Sequence, residues 1–571
     1  MNLEEYKKMA SKLDYVSDAK PPPDDPFGDD LGAGIDNPTA DSEPGDEEDK
    51  KRSQTDRLVE FAREQFELIH DRNGDVYACD NRTAEVRRLA GRQFKDRLMA
   101  GFFEKCKMAT REASMREALS TLQALGRFNG EPQKVDIRVA AHGGKYYVDL
   151  CETGNSRCIE LGAGYWKIVT NPPVRFVRGD AMQPLPTPLH GGSISPLWKI
   201  ANVPEELRIL VVTWLIDALR PDTPYPGLEL IGEQGSGKST AAEALRRVID
   251  PSSCNLRGAP KTVEDIFVAA GQNHVVAYEN VSHLAGPMQD ALAILSTGGG
   301  YAKRQLYSND EEHIINVRRP WLINGISIAV TQQDLVDRVI SIECPVIETR
   351  QSSSKQWAQF EIDLPCIFGG ILDTAAKALA ILPSVTLAPA DRPRLVEFVM
   401  LGQAVAKSEG KSDFLKRFNE LRAETVARTL DSSPVATAIL EFIEATPTGI
   451  KASVKDILSR LEHHKPIGAE FWPRSPKGLG DALRRAAPAL RQMGIECRSA
   501  GKVHGVILWT IRNKATDTKS PMSTKSTKSP DIHGFDAADQ GSGDLGTLGT
   551  SGTSGQSQTL DETDSLVEVD V

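Results

Sequence analysis

The chain has 571 residues, of which 40% are hydrophobic and 26% are charged. This is ordinary for several packed domains and excludes a small disulfide-stabilised scaffold. The longest apolar run, Ile209 to Ile216 around Thr213, is much shorter than the roughly 20 residues that cross a bilayer, so we expect no membrane span. Eight scattered cysteines and an N-terminus without an apolar signal core predict a cytoplasmic protein.

The net charge of −11 is unevenly distributed along the chain. Residues 1–52 contain 15 acidic and 7 basic side chains, and residues 514–571 contain 10 and 4, so the part between them carries about +3. Segments 1–52, rich in Pro, Gly and acid, and 513–571, rich in Ser, Thr and Gly, have little to bury, and we predict that both are disordered. Because the excess of acidic side chains lies in the two tails, the folded part between them can still bind a polyanion.

Between the two tails, the spacing of apolar residues changes several times along the chain. Apolar spacing predicts a helical region at 53–130, and short runs rich in Val, Ile and Tyr predict a small β-rich domain with a Pro-rich link at 131–200. An α/β core is expected at 201–345 and a helical lid or connector at 346–431. Helices followed by a hairpin are expected at 432–512.

The most specific motif is the sequence GLELIGEQGSGKST, in which a short apolar strand leads into GxxxxGKS and then into a helix. Such a loop wraps a phosphate with its backbone N–H groups, while the lysine neutralises phosphate charge and the serine hydroxyl offers a ligand to Mg²⁺. The predicted ATP-binding residues are Gly232, Glu233, Gln234, Gly235, Ser236, Gly237, Lys238, Ser239 and Thr240.

Four further polar residues lie at the ends of short apolar strands, in the order that this chemistry requires. Glu279 ends the run HVVAYE and is the predicted acid on the Mg²⁺ side, with Asn280 next to it. Asn324 ends PWLIN and is suited to positioning a water molecule near the γ-phosphate. Arg338 precedes the strand VISIE, where a basic side chain can reach the nucleotide of a neighbouring subunit.

Taken in order, GEQGSGKST, YENVSHL, STGGGYAKRQLYSNDEE, RRPWLINGI and DLVDRVISIECP resemble the ATPase core of superfamily 3 helicases, in the primase-helicase branch of phages and mobile elements. The resemblance covers about residues 130–512. It implies an α/β fold with a P-loop, AAA+-like core at 201–345, and a homo-oligomeric ring, usually a hexamer, that uses ATP and Mg²⁺ to move along single-stranded DNA.

The same resemblance assigns roles to single residues. It makes Lys238 and Ser239 the Walker A pair, Glu279 and Asn280 the Walker B pair, Asn324 sensor 1 and Arg338 the arginine finger. Many members of the family have two acids at the Walker B end, whereas this chain has Glu followed by Asn. Because an amide cannot accept a proton as a carboxylate can, this difference puts fast hydrolysis in doubt.

Two regions are candidates for DNA contact. The family places a pore hairpin between Walker B and sensor 1, where Gly298 to Gly300 precede Lys303 and Arg304, with Tyr301 or Tyr307 available for stacking. The last module resembles a winged-helix domain at 432–512 that can contact duplex DNA. Its candidate contacts are Arg484, Arg485, Arg491, Lys502 and His504.

The sequence also leaves an alternative to a DNA motor open. An ATP-controlled DNA-binding or assembly switch without processive unwinding is the alternative that Asn280 favours. The N-terminal helical region is too short for a primase domain, so any primase is expected to be a separate protein. Cysteines and histidines lack zinc-site spacing, and we predict no zinc site at Cys151 with Cys158 or at His463, His464 and Cys497.

Overall fold

The computed structural model describes residues 52–304, 312–349, 352–431, 433–466, 472–503 and 506–514. The two tails predicted to be disordered lie outside these ranges, apart from Arg52 and residues 513 and 514 at their edges. The described part is a mixed α/β structure.

The N-terminal region is an α/β domain, which corrects the prediction of a helical region at 53–130. Its sheet has the order β3-β2-β1-β4, with β1 antiparallel to β2 and parallel to β4. Phe66 and Leu68, which fit a helical spacing in the sequence, lie in β1 because a turn at Asp71 to Gly74 folds the chain back into a buried second strand. The elements are α1 (Gln54–Gln65), β1 (Phe66–His70), β2 (Val76–Asp80), β3 (Val86–Arg88), α2 (Arg92–Cys106), α3 (Glu112–Asn129) and β4 (Glu131–Pro132).

A small β unit follows, as the change of period predicts. Four of its strands form an antiparallel meander in sequence order, and the other two pair in parallel. The strands are β5 (Val135–Asp136), β6 (Val139–His142), β7 (Lys145–Asp149), β8 (Cys158–Gly162), β9 (Tyr165–Val169) and β10 (Arg175–Phe176). The buried guanidinium of Arg138 fixes this unit to the core through Asp250, at 3.0 Å.

A five-stranded parallel sheet forms the centre of the molecule, in the order β12-β13-β16-β11-β17. An antiparallel hairpin, β14 with β15, leaves the core between β13 and β16, where the family resemblance implies one. The elements are α4 (Arg208–Asp217), β11 (Gly227–Ile231), α5 (Lys238–Ile249), β12 (Arg257–Gly258), α6 (Val263–Gln272), β13 (Val276–Glu279), α7 (Gly286–Thr297), β14 (Gly299–Arg304), β15 (Glu312–Val317), β16 (Trp321–Asn324), α8 (Gln333–Val336) and β17 (Val339–Glu343).

Three helices connect this sheet to the C-terminal domain: α9 (Ser353–Ile381), α10 (Val396–Ser408) and α11 (Phe414–Asp431). Among the described residues, the segment Ser353–Ser384 is long and apolar enough to cross a membrane, which the sequence analysis did not anticipate. It packs against α10, β8 and β9, and 61% of its most apolar window is buried inside the structure. Core helices pass the same length and composition test, so this helix is weak support for a membrane span.

The C-terminal domain has three helices and a three-stranded antiparallel sheet in the order β18-β20-β19. The predicted hairpin is present as β19 and β20. The elements are α12 (Pro434–Ala445), β18 (Ile450–Ser453), α13 (Val454–Leu461), α14 (Pro476–Gln492), β19 (Ile495–Val503) and β20 (Val506–Asn513).

Candidate nucleotide and DNA sites

The Gly-rich loop between β11 and α5 has a backbone with positive φ, which favours glycine, at Gly232, Gly235 and Gly237. Gly232 has φ 145°, and a Cβ added there would lie 2.5 Å from the carbonyl oxygen of Cys344. Gly237 has φ 74° and precedes α5 without a side-chain cap. The first N–H groups of this 12-residue helix are therefore available to an anion, and the helix dipole favours negative charge at the same place.

Lys238 is the first residue of α5, and its charge has no carboxylate partner among the described residues. Its Nζ donates to the carbonyl oxygen of Glu233 at 2.7 Å and to Ser236 Oγ at 3.2 Å. Both acceptors are neutral, so the loop retains the full positive charge of the ammonium group.

Asn202 holds the loop from outside and was missed by the sequence analysis. Its Nδ2 donates to the carbonyl oxygens of Ser236 at 2.9 Å and Pro345 at 2.7 Å. A single Asn in a loop carries no sequence signal, because only the fold brings it against the Gly-rich loop.

The parallel sheet brings three predicted residues to one edge. Asn324, at the end of β16, is 1% exposed, and its Oδ1 accepts the backbone N–H of Asn280 at 3.2 Å. The Ser239 hydroxyl lies 3.5 Å from the same oxygen. The Nδ2 of Asn324 is buried with no hydrogen-bond partner in the described structure, which is unusual for a native protein.

Glu279 and Asn280 differ in how they face this edge. Glu279 is half-buried and lines a cavity of about 800 Å³ together with Ser239 and Thr240. Asn280 has φ 55°, a left-handed conformation that Asn tolerates better than most residues. Its side chain is exposed, so the recorded link between Asn280 and Asn324 is made by its backbone.

Glu229 is a second residue that the sequence analysis missed. This carboxylate is 1% exposed in the middle of β11 and accepts the N–H groups of Ala329 at 2.8 Å and Val330 at 3.2 Å and the Ser341 hydroxyl at 2.8 Å. Burial raises its pKa above the usual range. The only signal in the sequence is one charge in an otherwise apolar strand.

Arg338 lies at the opposite edge of the sheet from the Gly-rich loop. Its carbonyl oxygen accepts the N–H of Gly227, the first residue of β11, at 2.9 Å. The strand between them spans about 16 Å, at roughly 3.3 Å per residue. The side chain is ion-paired with Asp334, which also binds Arg394 at 2.5 Å. Arg338 is therefore not positioned to contact the Gly-rich loop of the same chain.

The structure describes the candidate DNA-contacting residues of the β14–β15 hairpin only in part. Lys303 pairs with His313 and Arg304 with Glu312 in the strand register. Their side chains, and Tyr307, lie outside the described residues. Tyr301 stacks on Phe267 of α6, with ring centroids 4.7 Å apart and 7° between the planes, so one face of this ring is already occupied within the structure.

The basic residues of the C-terminal domain fall into two groups. Arg484 and Arg485 are exposed on α14, although Arg484 also contacts Asp481 at 2.6 Å. Arg491 is also exposed, and its Nη1 donates to the carbonyl oxygen of Cys497 at 3.0 Å, which leaves its other N–H groups for a phosphate. Lys502 is exposed on β19, and His504 lies outside the described residues.

A hydrated Mg²⁺ ion fits the donors at the carboxyl edge of the sheet. One hydroxyl, from Ser239, and one carboxylate, from Glu279, face the same cavity. Mg²⁺ commonly takes one or two protein ligands and fills its other positions with water and phosphate oxygens. Within the described ranges no group of three or more His, Cys, Asp or Glu residues could hold a metal by itself.

Two family models match the sequence. Residues 194–414 match the actinomycete integrative conjugative element replication protein, and residues 435–527 match the C-terminal domain of the RepA protein of these elements. Together they cover more than half of the chain. The chain belongs to this family of mobile-element replication proteins, as the resemblance to mobile-element proteins predicts. None of the curated proteins matches it.

Solved structures with a related fold include one titled "SCCmec type IV Cch - active helicase". It is 12% identical, the match covers 79% of this chain and 93% of that one, and the TM-score is 0.44. A second is the apo C-terminal region of NrS-1, with 11% identity, coverage of 80% and 99%, and a TM-score of 0.38. These values describe a distant likeness of fold.

Proposed function

We propose that this replication protein is an ATPase motor that moves along single-stranded DNA when its mobile element is copied. The observation that carries the proposal is the convergence of Lys238, Ser239, Glu279 and Asn324 at the carboxyl edge of a parallel sheet. Phosphate-binding residues, a carboxylate and a buried unpaired amide are the groups that ATP hydrolysis requires.

ATP binding follows from the charges of the loop. Backbone N–H groups at the start of α5 and the Lys238 ammonium group surround the position that the β- and γ-phosphates would take. Phosphate oxygens would replace the two neutral acceptors that Lys238 now contacts, and a charged acceptor gives the stronger hydrogen bond.

Hydrolysis requires a base and a donor near the γ-phosphate. Ser239 and Glu279 would hold a hydrated Mg²⁺, which supplies neutralisation of the phosphate charge. The Glu279 carboxylate would also orient the attacking water and accept its proton. Asn324 Nδ2 is a buried donor that lacks an acceptor, so a phosphate or water oxygen would satisfy it. Asn280 contributes its backbone N–H, which fixes Asn324.

Arg338 would act on a neighbouring subunit. It lies about 16 Å along β11 from the loop of its own subunit, so a contribution to hydrolysis requires a second copy of the chain. This supports a homo-oligomeric ring, and the resemblance implies a hexamer. The β14–β15 hairpin would contact single-stranded DNA through Lys303 and Arg304.

The C-terminal domain would contact duplex DNA. Its order of helix, strand, two helices and hairpin supports a winged helix, in which α14 would be the recognition helix. Arg484 and Arg485 are its exposed basic residues. We place this activity in the cytoplasm, with any primase supplied by a separate protein.

Steady-state ATP hydrolysis with and without single-stranded DNA tests the motor. We expect DNA to stimulate turnover and Lys238→Ala to abolish it. An alternative is an ATP-controlled switch that binds DNA or assembles without unwinding it, which the amide at Asn280 favours. ATP-dependent DNA binding without stimulated turnover would establish the switch and reject the motor.

A further inference from the structure

A cleft lies between the N-terminal domain and the β12 edge of the central sheet. We call it the arginine cleft, and it is lined by Arg88, Arg92, Arg178 and Arg257, with Asp180 as its only acidic lining residue. Its volume is about 390 Å³. Neither family model covers the N-terminal domain, and the ATPase chemistry uses none of these arginines.

A buried apolar cluster joins the N-terminal domain to the β unit beside the cleft. Tyr77 and Val86 from the N-terminal sheet pack with Ile137 and Val177 from the β unit. A parallel β-bridge also joins Val86 to Val177. The β unit is joined in turn to the central core by the buried pair of Arg138 and Asp250, at 3.0 Å. Packed backbone therefore places the elements that carry the arginines around the cleft.

Arg257 is the least satisfied of the four arginines. Its Nη2 donates to Asn273 Oδ1 at 3.2 Å, but its Nε is buried without a hydrogen-bond partner in the described structure. None of the described carboxylates forms an ion pair with it. A guanidinium in this position is costly unless an acceptor completes its hydrogen bonds.

Two more arginines have only weak partners. Arg92 is 86% exposed and lies 3.4 Å from Asp96, and Arg88 is 39% exposed and lies 3.5 Å from Asp75. Exposed pairs of this kind contribute little and exchange readily for a stronger acceptor. Arg92 also begins α2, whose N-cap, Gly91, provides no side-chain cap.

Arg178 is different because its charge is already compensated. It donates to Asp149 at 2.7 and 2.8 Å and to Glu85 at 3.2 Å. It therefore forms a fixed wall, and the positive charge available to a ligand comes from Arg88, Arg92 and Arg257. Opposite them stands the single carboxylate of Asp180.

We propose that the arginine cleft is a second anion site that binds a phosphate group of a nucleic-acid strand or a free nucleotide. Guanidinium groups bind phosphate oxygens through planar, paired hydrogen bonds, and three of them with one opposing acid leave an excess of positive charge. The cleft is separate from the Gly-rich loop, so this inference does not depend on the motor.

The test uses the full-length chain with Arg92→Ala, Arg257→Gln and the double variant. Binding of a fluorescent 20-nucleotide single strand is measured by anisotropy without ATP, over a range of salt concentrations. If strand phosphates occupy the cleft, the double variant binds about 10-fold more weakly. The slope of log K against log salt becomes shallower by about 1.4, at roughly 0.7 per lost contact.

A second arm tests free nucleotide. In a Lys238→Ala background, which removes the first phosphate site, equilibrium dialysis with labelled ATP should detect binding that the double variant abolishes. Loss of binding in either arm supports the phosphate site. The arm in which binding is lost shows whether the phosphate group belongs to a nucleic-acid strand or to a free nucleotide. If both arms are unchanged in the double variant, the proposal is overturned.

The controls separate binding from folding. The double variant Arg63→Ala and Arg116→Ala removes two exposed arginines of α1 and α3 that do not line the cleft, and it should bind both probes as the unmodified chain does. Arg92→Ala alone changes an exposed side chain and should leave the melting temperature unchanged. An affinity loss with Arg92→Ala therefore reports the cleft even if Arg257→Gln lowers stability.

Discussion

Asn324 Oδ1 accepts the backbone N–H of Asn280 at 3.2 Å, which ties the ends of the neighbouring strands β16 and β13 together. Its amide nitrogen is left buried and unpaired. One side chain thus fixes the backbone that follows Glu279 and presents a donor at the carboxyl edge of the sheet.

Asn324→Ala should slow ATP turnover by about 10- to 100-fold, as expected for the loss of one positioned hydrogen-bond donor. ATP affinity should change by less than about 3-fold because the Gly-rich loop is intact. Measurements of kcat and of ATP binding distinguish these effects. Equal losses in kcat and binding would show that Asn324 maintains the loop and does not act on the reacting phosphate.

Lys238→Ala should remove most ATP binding and reduce turnover by at least about 100-fold, because no other described side chain places an unpaired cation beside the Gly-rich loop. Lys261→Ala, an exposed lysine before α6, is the matched control. Normal ATP binding by the Lys238 variant that persists after Arg92→Ala and Arg257→Gln are added would reject the phosphate site at the Gly-rich loop.

Arg338→Ala should abolish turnover in the assembled protein while leaving ATP binding unchanged. Mixing this variant with Lys238→Ala should restore part of the activity, because intact Lys238 on one subunit then meets intact Arg338 on its neighbour. The measurement is ATPase activity as a function of the ratio in which the two variants are mixed. A mixture as inactive as its components, under conditions where subunits exchange, would contradict action between subunits.

Arg394→Ala is the control for this prediction. Arg394 shares Asp334 with Arg338 through a contact of 2.5 Å, so its loss leaves the Arg338 pair in place. We expect near-normal turnover. A defect as large as that of Arg338→Ala would mean that the whole ion-pair cluster, and not Arg338 itself, is required.

The stack of Tyr301 on Phe267 predicts a link between the hairpin and α6. Tyr301→Ala should reduce the stimulation of ATPase by single-stranded DNA several-fold while basal turnover stays within about 2-fold, because an aromatic pair contributes about 1 kcal/mol to positioning. Tyr301→Phe keeps the ring and should behave normally. Loss of stimulation in Tyr301→Phe as well would point to the hydroxyl and reject the stack as the cause.

His274 predicts a pH dependence of stability. Burial lowers its pKa from 6.5 to about 4, against a smaller opposing effect of Asp250, and its Nε2 lies 2.6 Å from the carbonyl oxygen of Ala218. As the pH falls from 6.5 to 4, His274 takes up its proton in the unfolded chain before it does so in the folded chain. The free energy of unfolding therefore falls by about 3 kcal/mol.

The effect of His274 is isolated by comparison with His274→Gln. The unfolding free energy of the natural chain minus that of the variant should be largest above pH 6.5 and fall by about 3 kcal/mol at pH 4. Subtraction is needed because Asp217, whose pKa burial raises to about 7, changes stability in the opposite direction over the same range. A difference independent of pH would show that His274 is not responsible.

Much of the central core could be predicted from the sequence because its signals are local. The motif GEQGSGKST requires a strand, a loop and a helix in immediate succession, and β11 and α5 have these positions. The hairpin that begins at Gly299 is present as well, but it was expected from the family resemblance and not from a local signal. The roles assigned to Lys238, Glu279 and Arg338 stay predictions until they are measured.

The N-terminal region shows where local signals fail. Phe66 and Leu68 fit a helical spacing as well as a strand, and periodicity alone cannot distinguish short apolar runs. This segment is a strand because β1 pairs with β2 and because α1 and α3 pack over that sheet. Long-range contacts of this kind leave no repeat in the sequence.

The sequence by itself determined the family, the Gly-rich loop and the polar residues that end β13 and β16, because each depends on residues adjacent along the chain. Only the tertiary structure decided that Asn202 supports the loop, that Tyr301 packs on Phe267, and that Arg338 lies at the far edge of the sheet. These relationships join residues that are far apart in sequence, and strand order and packing alone bring them together.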